Sequence, residues 1–207
     1  MACQSLRPLV SLAPLFVLLI SLLGLAPTAT AQRGAITVPQ NLASLVDEAA
    51  YIIRGRIISI RVEPHPELHN LTTLVITVAV DEALKGQPGQ VYTFRQFIWD
   101  IRDKFDAAGY KKAQNVLLLL NKPNQYGLSA PVGLEQGRFL IVRTADGDLA
   151  AVNGVSNGGL FQNFEQEMKS RGRPLSPAMA TRVQQFRGGP IKLGELKDFI
   201  RAAQGAN

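Results

Sequence analysis

The chain has 207 residues, 22 lysines and arginines against 16 aspartates and glutamates, and a single cysteine. That length supports one domain with a real core plus an appendage. One cysteine excludes a disulfide scaffold, and basic residues interspersed with acids suit a negatively charged surface without specifying nucleic acid.

Met1–Ala31 carries Arg7 near its start, an apolar run from Leu9 to Ala26 and the small-residue signal Ala29-Thr30-Ala31. This pattern predicts a secretory signal peptide cleaved after Ala31. An uncleaved anchor is the alternative, because the run is about long enough to span a bilayer. Cleavage removes Cys3, leaves 176 residues and, with Arg7 gone, 21 basic residues against 16 acidic, a net charge of +5. The mature chain then holds no disulfide, no thiol nucleophile and no further membrane span. A disulfide-free exported protein fits a bacterial periplasm or the extracellular space, where the Asn70-Leu71-Thr72 sequon carries no weight.

In residues 32–153 the pattern is mainly β. Asn41 caps a short helix whose Leu42, Leu45 and Val46 form one stripe. Residues 49–86 then read as a long curved hairpin around which the rest is organised. In its first strand Ile53, Gly55 and Ile57 share a face; afterwards the apolar parity switches to Ile58, Ile60 and Val62. A one-residue slip turns every side chain over, so the switch predicts a bulge near Gly55–Ser59. Bulged, glycine-kinked strands curl sheets into small barrels, which favours a barrel over a flat sandwich. Its second strand alternates Leu74, Ile76, Val78 and Val80 with Thr73, Val75, Thr77 and Ala79, as a half-buried strand does.

Lys85-Gly86-Gln87-Pro88-Gly89 is a turn, and Val91–Phe97 a third strand with Tyr92 and Phe94 on one face. The pattern breaks over 98–114, which holds Trp99 and the triplet Asp100, Asp103 and Asp106; interleaved cations make this a solvated face rather than a calcium loop. Val116–Leu120 is an uninterrupted apolar run, expected to be buried on both faces. Tyr126–Ala130, Arg138–Arg143 and Leu149–Val152 complete a meander. Residues 154–207 form a helical appendage: Ser176-Pro177 starts one helix, and Leu193, Leu196, Phe199 and Ile200 mark a second.

The ordered set Ala49–Arg56, the strand closing on Asp81-Glu82-Ala83-Leu84-Lys85-Gly86, Gln114–Leu120 and Gly133–Phe139 resembles a widespread group of uncharacterised exported bacterial proteins. It is also similar to the OB-like barrel of the netrin module and of tissue inhibitors of metalloproteinases. The resemblance covers about residues 42–153 and implies a five-to-seven-stranded barrel and, in the inhibitors, a protease-binding role. Those inhibitors chelate the protease zinc through an amino-terminal cysteine, whereas here Gln32 is the expected first residue; the fold is carried over and no inhibitory residue is.

Two groups of side chains are candidate sites. His65 and His69, with Glu63 and Glu67 beside them, offer imidazoles and carboxylates that suit zinc or copper; Pro64 and Pro66 forbid the regular helix that aligns an i, i+4 pair, and a polar hairpin tip is the plainer reading. Arg54, Arg56 and Arg95 form a candidate basic face of the kind on which OB barrels bind nucleic acids or sugars, although Arg95 has the opposite parity to Tyr92 and Phe94, which assigns those aromatics to the core. No catalytic, phosphate-loop or dinucleotide motif occurs. The expectation is therefore an exported, non-enzymatic binding protein without a cofactor. Its partner is expected among envelope or secreted proteins, a protease among the candidates, with an anionic glycan or other polyanion, or a metal at His65 and His69, as alternatives.

Overall fold

The computed structural model describes residues 37–98, 104 and 107–205. The expected signal segment, Trp99 and the Asp100, Asp103 and Asp106 triplet lie outside them.

Helix α1 (Leu42–Glu48) starts where expected: the Asn41 side chain accepts a hydrogen bond from the Ser44 amide at 3.0 Å, which satisfies one of the open donors of the first turn. Strands β1 (Tyr51–Pro64) and β2 (Thr72–Lys85) form the long hairpin, followed by β3 (Val91–Phe97), β4 (Asn115–Leu120), β5 (Arg138–Arg143) and β6 (Leu149–Asn153). Then come α2 (Phe164–Ser170), α3 (Pro177–Gln185), the two-residue β7 (Ile191–Lys192) and α4 (Leu193–Gln204). The strands make one antiparallel sheet in the order β3-β2-β1-β4-β5-β6-β7.

The hairpin is irregular over the predicted Gly55–Ser59 stretch and also before it, at Ile52. Pairing between β1 and β2 shifts register between Ile52 and Ile53, Arg54 and Gly55, and Ile57 and Ser59. Gly55 pairs with Val80 on one side and Val116 on the other. A Cβ there would stand 2.2 Å from the Ala79 carbonyl oxygen and 2.8 Å from Val78 Cγ1, so the close approach of β1 to β2 admits only glycine.

β4 is the central strand, and Val116–Leu120 are all fully buried. Its alternating side chains feed two cores. Leu117 and Leu119 join Ile52, Phe139 and the apolar faces of α1, α2 and α4, while Val116, Leu118 and Leu120 join Ile53, Ile57, Leu74, Ile76 and Phe94 on the opposite side. Helices α1 and α2 and the last two helices, α3 and α4, thus lie on one face of the sheet. Phe161, Phe164, Phe186 and Phe199 interlock among them, with the Phe161 and Phe199 ring centres 4.5 Å apart; tilted and edge-on pairs suit the aromatic quadrupole.

Three expectations are corrected. The architecture is mixed α/β, with helices α1–α4 among the described residues, not mainly β, because α2 was not foreseen and these helices bury a full face of the sheet. The sheet is not closed into a barrel: its terminal strands β3 and β7 do not pair, since β5, β6 and β7 extend it beyond β4 and away from β3. Tyr126–Ala130 is not a strand. The Asn124 side chain accepts from the Tyr126 and Leu128 amides in a tight turn, leaving only isolated bridges from Leu128 to Arg95 and from Pro131, which has no N–H to donate, to Leu120.

Candidate functional site

The polar groups expected to act were Arg54, Arg56 and Arg95. Arg54 and Arg95 are both committed to carboxylates. Arg54 lies 3.3 Å from Glu82 and 3.5 Å from Asp81 on the neighbouring strand. Glu82 also receives Lys197 at 3.0 Å and Arg201 at 3.5 Å from α4, so this one carboxylate ties the hairpin to the last helix. Burial alone would raise the Glu82 carboxyl, but the Lys197 and Arg54 contacts outweigh it and hold the group below the ordinary glutamate range. Arg95 donates to Glu63 and to Thr73 Oγ1, each at 2.7 Å. The hydrogen bond from Arg95, then that from Arg61, draws the Glu63 carboxyl below its usual value. Arg54 is opposite Glu82 and Arg95 opposite Val75, about 23 Å apart along β2 at 3.3 Å per residue. Arg56 is exposed near the Arg54 end. The three do not form one basic face.

The two histidines are separated in environment. His65 is buried at 2 % exposure, whereas His69 is exposed. His65 Nδ1 accepts from the Glu67 and Leu68 amides at 3.2 and 3.1 Å, which places the proton on Nε2, 2.8 Å from the Tyr126 carbonyl oxygen. Both ring nitrogens are therefore used in closing the hairpin tip and fastening it to the 124–128 turn. Neither keeps a lone pair for a metal in this arrangement, and among the described residues no group of three or more His, Cys, Asp or Glu could hold one.

An open site lies elsewhere among the described residues, at positions not anticipated as functional. A groove of about 680 Å³ is formed where α3 and the first turns of α4 meet the β6–β7 corner. Its floor is apolar, made by Leu149, Met179, Leu193 and Phe199; Leu149 is 39 % exposed. The rim carries ion pairs: Arg182 with Glu195, and Lys192 with Asp148 at 2.8 Å. Each partner of the second pair favours the charge of the other, so the Asp148 carboxyl is drawn down by the Lys192 hydrogen bond and the Lys192 ammonium is pushed up by Asp148. An ionised, paired Asp148 is a poor proton donor, and the basic rim groups are already neutralised. What the groove offers is apolar contact edged by charge of both signs.

The local sequence explains the groove. Ser176 caps α3, with proline at its first position, and Gly188-Gly189 turns the chain back into β7. Gly194, at the start of α4, has open space where a side chain would stand, which leaves the mouth clear. Capping and glycine signals were readable, but the juxtaposition of 148–149, 178–182 and 192–199 depends on packing.

No protein-family profile, curated protein or solved structure matches the chain. Among the described residues no helix is long and apolar enough to cross a membrane.

Proposed function

We propose that this chain is an exported, non-enzymatic interaction protein that binds a polypeptide segment of an envelope or secreted partner in the α3–α4 groove. The observation that carries this reading is the combination of an apolar groove, open to solvent at Leu149 and Met179, with rim charges that already cancel. Such a surface takes an apolar side chain flanked by polar backbone, whereas an anionic glycan or other polyanion needs unpaired cations. Arg54 and Arg95, which a polyanion site would require, are held by carboxylates. The signal-like segment supports export, and a protease is one partner class that the inhibitor-like hairpin suggests, by analogy of fold only.

An OB-like relationship belongs to the same proposal. The OB fold is a partly open barrel, and the stretch 128–132 lies between β3 and β4, with the Ser129 amide bonded to the Arg95 carbonyl at 2.8 Å and the Val132 amide to that of Leu119 at 2.8 Å. This placement supports reading that stretch as the remnant of a closing strand.

The test is affinity capture from native envelope and culture-fluid proteins at low and moderate salt, with the wild-type chain and Leu149→Glu in parallel. One dominant salt-resistant partner, lost with Leu149→Glu, is the expected result. Diffuse, salt-sensitive capture that Leu149→Glu leaves unchanged would overturn the reading in favour of polyanion binding.

A further inference from the structure

The two ends of the sheet are treated differently. At one end β7 is only two residues long and follows Pro190, and short, proline-flanked edges resist further pairing. At the other end lies β3, whose Val91-Tyr92-Thr93-Phe94 stretch has no charge and no proline.

The backbone direction of β3 follows from its bonds. The Gln90 carbonyl accepts the Val80 amide at 2.8 Å, so even-numbered residues face β2; the Arg95 carbonyl accepts the Ser129 amide on the outer side at 2.8 Å. By alternation, the N–H and C=O groups of Val91 and Thr93 point away from the sheet. Val91 is 54 % exposed, and Thr93 is also exposed. Its hydroxyl lies 3.0 Å from that of Thr77, so β2 contacts the edge without covering it. Four strongly polar backbone groups thus stand in a row, beyond which the stretch 128–129 takes over.

We infer that β3 pairs antiparallel with β3 of a second copy of this chain about a two-fold axis, Val91 of one copy facing Thr93 of the other, so that one sheet runs through both copies. A second copy fits because each edge supplies the same outward donors and acceptors in the register that the two-fold requires. It fits also in charge. Val91–Phe94 brings no charged side chain opposite its own image, so the pairing sets no like charges face to face there. This inference is independent of the groove.

The test uses the full chain, expressed with its own amino-terminal segment and purified in the form the cell delivers. Light scattering and sedimentation across a wide concentration range should show the mass doubling. Thr93→Pro removes the outward N–H together with the hydroxyl that meets Thr77, and should leave the circular dichroism unchanged while abolishing the doubling. Thr93→Val, which keeps the N–H and loses the hydroxyl, should still double. A wild-type chain that stays monomeric throughout, or a Thr93→Pro variant that dimerises as the wild type does, overturns the inference. If Thr93→Pro fails to fold, hydrogen exchange on the wild type decides: Val91 and Thr93 amides that slow with rising concentration support pairing, and concentration-independent exchange refutes it.

Discussion

Replacing Gly55 by alanine tests the origin of the sheet's curvature. The new methyl group would begin 2.2 Å from the Ala79 carbonyl oxygen, and relief to ordinary contact requires a local shift of more than 1 Å. Neither neighbour yields easily, because β1 is paired at this point with β2 and β4 at once. Overpacking of this kind costs about 1–3 kcal/mol, and the one or two ladder hydrogen bonds lengthened by the shift add about 1 kcal/mol each. The reduced freedom of the unfolded chain offsets about 0.4–1 kcal/mol. The net expectation is a loss of about 3 kcal/mol, which for a domain of this size lowers Tm by roughly 10 °C. Urea and thermal unfolding measure it, with Gly89→Ala as the control. At Gly89 nothing lies within 4 Å of a Cβ and only the left-handed φ of +77° resists, a cost of about 1–2 kcal/mol. If Gly55→Ala unfolds within 0.5 kcal/mol of wild type, or costs less than the control, the account of the close β1–β2 approach is refuted.

Other consequences follow from the same geometry. Leu117→Ala empties a fully buried site between sheet and helices and should cost about 2–5 kcal/mol in urea unfolding. His65→Ala breaks three hydrogen bonds at the hairpin tip; faster amide exchange is expected in both 65–71 and 124–128, and nitrogen NMR of the wild type should find the Nε2–H tautomer. Glu82 has its folded carboxyl below the unfolded value, so its contribution is present above the ordinary glutamate range and is lost as pH falls through the lowered folded value. Acid titration of stability should therefore flatten at low pH in Glu82→Gln. Tyr92 is pushed up to about 12 by burial and by Tyr51; its contribution is whole below pH 10 and disappears as pH rises toward 12, and Tyr92→Phe should remove that slope from alkaline unfolding curves.

Much of the chain's local structure was legible because the relevant signals are short-range. The parity switch after Ile57 located the register shift between Ile57 and Ser59 but not the one at Ile52, the unbroken run at 116–120 marked the doubly buried strand, and Asn41 and Ser176 marked helix starts. Closure was not legible, since it depends on which distant edges meet. The turn built by the Asn124 side chain replaced a strand that composition favoured. Helix α2 was missed although Phe161, Phe164 and Met168 have helical spacing, because the glycine-rich stretch before it obscured the period. For the sites, the sequence revealed charge but not pairing. The partners of Arg54 and Arg95 follow from the register of the bulged hairpin, and the groove joins three segments that packing alone brings together.

The central claim is that the α3–α4 corner is the binding face. Hydrogen exchange of the chain, free and in the complex recovered by capture, tests it most directly. The account predicts that binding slows exchange at 178–182 and 192–198 and leaves β1–β3 unchanged. Protection confined to the β1–β3 face, with the α3–α4 corner exchanging as in the free chain, would contradict it.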